Sequence, residues 1–161
     1  MQNAKDSFYG ALRARLAVIN PGRTTVLRGA VRPGILVEEA EASLSQLPND
    51  VFVLRWLGLA IDTGHASPLA GAECEVIYKT CGARAFGGLD RGRSLATMDK
   101  DLAAMLLPRS AAKFDYTVQP PRSMLTQLFW DEPAYTPIVS QRDQLSRSVK
   151  VLVYSYQEQG E

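Results

Sequence analysis

The side chains that could do chemistry are few and scattered along the 161-residue chain. Its single histidine, His65, lies in the polar stretch Asp62 to Pro68. No G-x-S-x-G elbow accompanies it, so nothing local marks a serine nucleophile, and His65 reads as a solvated loop residue. The two cysteines, Cys74 and Cys81, are separated by an odd spacing that points them to opposite faces of a strand, so they cannot pair there. Buried reduced thiols are the expectation. One His and two Cys at that spacing make no structural zinc site. Asp62, Glu73 and Glu75 gather on one hairpin, as in a metal-dependent nuclease. The lysine such sites place two residues beyond an acid is missing, because Val76 and Ile77 follow Glu75. Gly82 to Gly87 opens like a phosphate-binding loop, but Gly88 and Leu89 stand where Lys and Ser/Thr are needed. Neither a cofactor nor a metal is expected, and the chain does not read as an enzyme.

Three arginines remain, Arg84 and Arg91 on a glycine-rich stretch from Gly82 to Gly92 and Arg93 just beyond it. They suit an anion at a helix N-terminus or the carboxylates of another protein surface. Arginine favours the latter because its planar fork makes paired bonds to a carboxylate. The acids Glu38, Glu39 and Glu41 of an adjacent copy are the expected counterpart. Trp130 and Tyr135, set among prolines, are expected as exposed aromatic anchors of a second contact.

The elements that must position these residues follow from periodicity. Phe8, Leu12, Leu16 and Ile19 form one stripe of a helix over Asn3 to Ile19, stopped at Asn20-Pro21-Gly22. Arg23 to Arg32 is open between a short strand and an ordered arm. Beyond Pro33-Gly34 a strand begins at Ile35 and runs through Glu41, and Leu44 to Asp50 is a loop. Val51 to Ile61 is the clearest strand. Strict alternation puts Val51, Val53, Leu57, Leu59 and Ile61 on one face and Phe52, Leu54, Trp56 and Ala60 on the other. Apolar residues on both faces predict a strand covered on both sides by helix, sheet or a neighbouring subunit. Ala72 to Cys81 completes an antiparallel hairpin. Leu95, Met98, Leu102, Met105 and Leu106 define a second helix over Ser94 to Leu107, capped by Asp90 or Ser94 and ended by Pro108. Lys113 to Gln119 alternates with Phe114, Tyr116 and Val118 inward. Met124 to Trp130 is a short strand or helical turn within a proline-rich extended connection over 120–140. Ser148 to Tyr156 is a strong final strand. The expectation is one α+β domain over 1–161, a two-layer sandwich of two helices on a mainly antiparallel sheet of four to five strands.

Composition agrees with a globular domain, at 46% hydrophobic and 22% charged residues. Eighteen basic residues against seventeen acidic ones leave a net charge of +1, which supplies no field for coating nucleic acid or an anionic membrane. No run approaches the roughly 18–20 apolar residues of a membrane span, and MQNAKDSFYGALRARL lacks a signal-peptide core. A cytoplasm-like compartment is therefore expected.

The order of these elements resembles the tail terminator (tail completion) proteins of long-tailed bacteriophages and phage-tail-like particles. The resemblance lies in the helix Ser7 to Leu16 (SFYGALRARL), the strand after Pro33-Gly34 and the hairpin Val51 to Cys81. The helix Arg93 to Leu102 (RSLATMDKDL) and the closing strand Arg147 to Tyr156 (RSVKVLVYSY) complete it. The 120–140 stretch is longer than in compact members and reads as an arm that contacts a neighbour. The resemblance implies a homo-oligomeric ring, usually of about six copies, seated on a tail tube. Such a ring ends tube polymerisation and offers a joining surface to the neck or head-completion protein. Its partners would be itself, the tube protein and the neck protein, with DNA only in transit through the pore. Its place would be the virion tail, assembled in the host bacterial cytoplasm. The alternative is a monomeric or dimeric protein-binding adaptor without catalysis, and a small enzyme with unmarked residues is a further class.

Overall fold

A computed structural model describes residues 1–27, 29–37, 48–64 and 67–158. Helix α1 (Gln2–Ile19) buries Ala4, Ser7, Phe8, Leu12 and Leu16, which include three of the four residues of the stripe expected from the sequence. Ile19 departs from that stripe at 41% exposure, because the helix ends there and turns at Pro21-Gly22. Helix α2 (Arg91–Met105) buries Leu95, Met98, Leu102 and Met105. Asp101 joins them inside, where its carboxylate accepts from Asn20 Nδ2 at 2.9 Å and Arg23 Nε at 2.8 Å. This buried ion pair ties the exit of α1 to α2. Among the described residues no helix is long and apolar enough to cross a membrane.

Arg23 to Arg32 resolves into a separate hairpin of β1 (Thr24–Leu27) and β2 (Ala30–Pro33), with Gly29 at φ +80° in the turn. The main sheet has eight strands among the described residues, more than the four to five expected. They are β3 (Ile35–Val37), β4 (Phe52–Asp62), β5 (Leu69–Thr80), β6 (Ser110–Asp115), β7 (Arg122–Trp130), β8 (Ala134–Tyr135), β9 (Val139–Gln141) and β10 (Gln144–Tyr156). The order is β3-β4-β5-β10-β7-β6, with β8 and β9 also paired to β10. All pairings are antiparallel except β3 with β4. The expected hairpin of β4 and β5 is present, and β10 runs along β5 from Leu145–Thr80 to Tyr156–Leu69. The 120–140 stretch is not a bare connection. It supplies β7, β8 and part of β9, each drawn into the sheet by hydrogen bonds.

The sheet curls around α1, which touches both ends of its strand order. Tyr9 donates its hydroxyl to Ile35 O of β3 at 3.2 Å. On the other side Ser7 Oγ accepts from Phe114 N at 2.9 Å, and Arg15 Nη2 donates to Ser110 O at 2.8 Å. Helix side chains thus satisfy the outer edge of β6. The core lies between helices and sheet, with Phe8 edge-on to Trp130 at 5.1 Å and to Trp56 at 5.8 Å.

Two strands differ in phase from the sequence pattern. In β6 the inward residue is Lys113, fully buried, whose ammonium donates to Tyr156 O at 2.9 Å. The strand ends at Asp115 and shifts register between Ala112 and Phe114, so the alternation through Tyr116 and Val118 continues past the sheet. In β4 the register shifts between Trp56 and Gly58, a bulge at Leu57. Beyond it Leu59 and Ile61 lie opposite the buried Ala72 and Ala70, on the face of Phe52, Leu54 and Trp56. Strict alternation had placed them on the other face.

Candidate interface surfaces

The arginine loop is a braced knob at the end of β5. Gly82 takes φ +73° and donates its N–H to Thr80 Oγ1 at 3.0 Å. A Cβ on Gly82 would stand 2.5 Å from Asp90 Oδ1, so only glycine fits there. Arg84–Phe86 forms a single 3-10 turn, and Gly87 and Gly88 turn the chain back with positive φ. Asp90 occupies the N-cap position of α2, as expected. Its carboxylate, however, accepts from Ala83 N at 2.9 Å and from Ser94 Oγ at 3.4 Å, not from the first-turn amides of the helix. That carboxylate closes the loop and takes up an amide that a phosphate cradle would present.

The three arginines differ in availability. Arg84 and Arg93 are exposed. Arg91 reaches Arg142 O at 3.5 Å and the Asp143 carboxylate at 3.8 Å, so its charge is partly satisfied within the chain. Between them Phe86 is 62% and Leu89 93% exposed, an apolar tip that the arginine pattern alone did not announce. Glu38, Glu39 and Glu41, the expected acidic counterpart, lie outside the described residues, as does His65.

Trp130 is no exposed anchor. It is 3% exposed, donates its indole N–H to Leu106 O at 3.0 Å and has the Arg15 guanidinium over its ring at 5.2 Å. It ends β7, where alternation turns Leu128 and Trp130 inward. Tyr135 is half-buried in β8 beneath the Arg147 guanidinium, at 5.1 Å from ring to cation. Burial pushes its phenol above the ordinary tyrosine range.

The acids of the β4–β5 hairpin do not converge on a metal. Glu75 pairs with Arg55 at 2.6 Å and Glu73 with Lys150 at 2.8 Å, a charge ladder across the sheet's outer face. Asp62 accepts from Gly64 N at 2.8 Å. Among the described residues no group of three or more His, Cys, Asp or Glu is placed to hold a metal ion. Cys74 is buried on β5, and Cys81 lies half-buried beyond its end, both as free thiols.

A polar cluster the sequence reading missed sits beneath α2. Tyr78 donates its hydroxyl to Asp99, and Arg147 Nη1 donates to the other Asp99 oxygen at 2.8 Å. Arg147 Nε also donates to Thr136 O at 2.7 Å. Burial first, then the Asp99 carboxylate, pushes the Tyr78 phenol far above its ordinary range. A phenol held neutral against an already paired carboxylate is a brace between α2, β5 and β10, not a proton acceptor. The signal was present, since Tyr78 continues the inward alternation of β5.

The second half of β4 also leaves apolar side chains open. Leu57 is 42% exposed, and Leu59 and Ile61 are each 54% exposed. No protein-family model matches the chain, and no curated protein matches its sequence.

Proposed function

We propose that this chain is a structural assembly protein, a two-layer α+β domain that works by joining copies of itself and other subunits. The observation that carries this reading is the exposure of Leu59 and Ile61, neighbours on one face of a strand whose sequence is apolar on both faces, with Leu57 also exposed at the bulge before them. Contiguous apolar surface of this kind marks protein contact in soluble domains. The element order and its resemblance to tail terminator proteins support a role for that contact in a ring at the end of a phage tail tube. There it ends polymerisation and receives the neck. A closed ring needs two different patches that meet between neighbours. The arginine knob is one of them, and the acids Glu38, Glu39 and Glu41 are its sequence-based counterpart. Arg84 and Arg93 carry the free charge of the knob, because Arg91 is already engaged with Asp143.

The test is negative-stain electron microscopy of the purified chain at rising concentration, with and without magnesium, beside its solution mass. Closed rings are the expected outcome, and charge reversal at Arg84 and Arg93 is expected to remove them without unfolding the monomer. A chain that stays monomeric and binds one defined partner would favour the adaptor reading.

A further inference from the structure

Two clefts meet between the arginine knob and the turn that joins β9 to β10. One, of about 370 Å³, runs along the knob and is lined by Arg84 and Arg91. The other, of about 730 Å³, opens on the turn and is lined by Arg142 with Gln141 and Gln144. They share Cys81 and Asp143. Arg91 joins the two walls, with Nη1 3.5 Å from Arg142 O and 3.8 Å from the Asp143 carboxylate. Three guanidinium groups thus border one depression, although the chain as a whole carries a net charge of only +1.

We propose that this double cleft binds a compact polyanion, a chain of linked phosphate groups, on Arg84, Arg91 and Arg142. The site lies within one copy and does not depend on self-assembly. Charge sets the class of ligand. The lining carries three cations against one carboxylate, that of Asp143. Asp90 beneath the knob adds a second negative charge and Arg93 in the first turn of α2 a fourth positive one, so the excess stays positive. Arg84 and Arg142 make no ion pair among the described residues. Arg91 meets Asp143 at 3.8 Å, and that acid is fully exposed. Exposed pairs of this kind contribute little, so Arg91 can turn to a denser anion. Phosphate oxygens match the planar fork of arginine, and arginines on both walls favour a chain of phosphates over a single ion.

The lining also argues against other ligands. Among the described residues no aromatic ring lines either cleft, so a nucleobase finds nothing to stack on. Leu89 is the one large apolar side chain there, which leaves the apolar groups of a peptide without a pocket. The turn adds a further sign. Arg142 sits at φ +52°, in the left-handed region that favours glycine. Glycine would suit that backbone better, so the turn itself does not call for an arginine.

Isothermal titration calorimetry of the full chain with sodium tripolyphosphate at low ionic strength tests the site. Wild type is expected to bind one tripolyphosphate per chain. Arg142→Gly and Arg91→Gln are each expected to weaken binding about tenfold, through loss of a charged hydrogen bond. Both should keep the wild-type circular dichroism spectrum and urea midpoint, because neither side chain belongs to the core. Asp143→Asn is expected to tighten binding about threefold, since it removes the acid that competes for Arg91. Arg122→Gln, at the exposed start of β7, is the control and should change nothing. Adenosine triphosphate should bind as tripolyphosphate does, because only its phosphates are held. A wild type that binds no tripolyphosphate would overturn the site. So would an equal loss in Arg122→Gln, which would mark a general charge effect, or an Asp143→Asn variant that binds no tighter. A single-stranded oligonucleotide that binds more tightly than tripolyphosphate and displaces it would overturn the compact ligand in favour of a nucleic-acid backbone.

Discussion

The β4–β5 hairpin has two halves of similar composition and opposite fate. Phe52, Val53 and Leu54 are at most 1% exposed, whereas Leu57, Leu59 and Ile61 stand between 42% and 54%. The first half is covered on both faces. Inside it meets the main core, with Phe52 edge-on to Tyr78 at 5.3 Å. Outside, Val53 packs with Leu36 and Val51 against Leu27 of the β1–β2 hairpin. In the second half the bulge turns Leu59 and Ile61 inward, yet they remain half in solvent. An apolar pattern therefore reports that a face wants cover, and it does not report what supplies the cover.

The largest effects separate the closed region from the open one. Trp130→Ala removes a buried indole with its bond to Leu106 O and its contact with Phe8, and should cost about 3–5 kcal/mol. Leu54→Ala in the closed half should cost about 2–5 kcal/mol by the same cavity argument. The double variant Leu59→Asp with Ile61→Asp should change monomer stability by no more than about 0.5 kcal/mol per site, while weakening self-association. Urea unfolding and solution mass read the two quantities separately. If the Asp pair destabilised the monomer as much as Leu54→Ala, the open half would be part of the core and the comparison would fail.

Much of the closed region was legible in the sequence because its signals are local and long. Phe8, Leu12 and Leu16 repeat at helical spacing, and Val149, Val151 and Val153 alternate over a full strand. The bulge was harder, since a single extra residue inverts every later side chain. Gly58 within an apolar strand was its only local sign. The short strands β8 and β9 owe their form to pairing with β10, which no local pattern records. Trp130 was misplaced for a related reason, because its neighbours Pro133 and Pro137 signal a loop while β10 holds the strand before them. At the candidate interface the arginines were readable from residue type. The exposure of Phe86 and Leu89 was not, because it follows from the positive-φ turns that carry them outward.

Titration offers a finer comparison, with one group near each half. Tyr78 pairs with Phe52 in the closed half, and burial holds its phenol neutral well above the ordinary value. The stability this contributes is complete below the unfolded pKa of about 10 and is lost as pH rises beyond it. Tyr78→Phe cannot ionise, so its stability should fall less steeply between pH 9 and 11 in urea midpoints, with the half-buried Tyr135 as a second phenol raised by burial. An unchanged slope would remove Tyr78 from the alkaline transition.

Glu158 sits at the open end, beyond the last residues of β10, and gives the smallest effect. Its carboxylate accepts from Thr126 N and Thr126 Oγ1, each at 2.7 Å. The Thr126 amide, then its hydroxyl and the Lys113 charge, hold it below the ordinary carboxylate range. Because the folded pKa is the lower one, the contribution is present above the unfolded value of about 4.3 and disappears as pH falls through the folded value. Glu158→Gln should therefore lower the urea midpoint slightly at neutral pH and match wild type in acid. β7 pairs with β10 only from Leu128 to Trp130, so this clasp fastens the strand where its ladder to β10 has stopped. The loss should appear as faster amide exchange at Thr126, with the exchange of Val149 to Val153 unchanged. Faster exchange across β10 as well would mean that the two ends unfold as one unit, and the division between closed and open regions would not survive it.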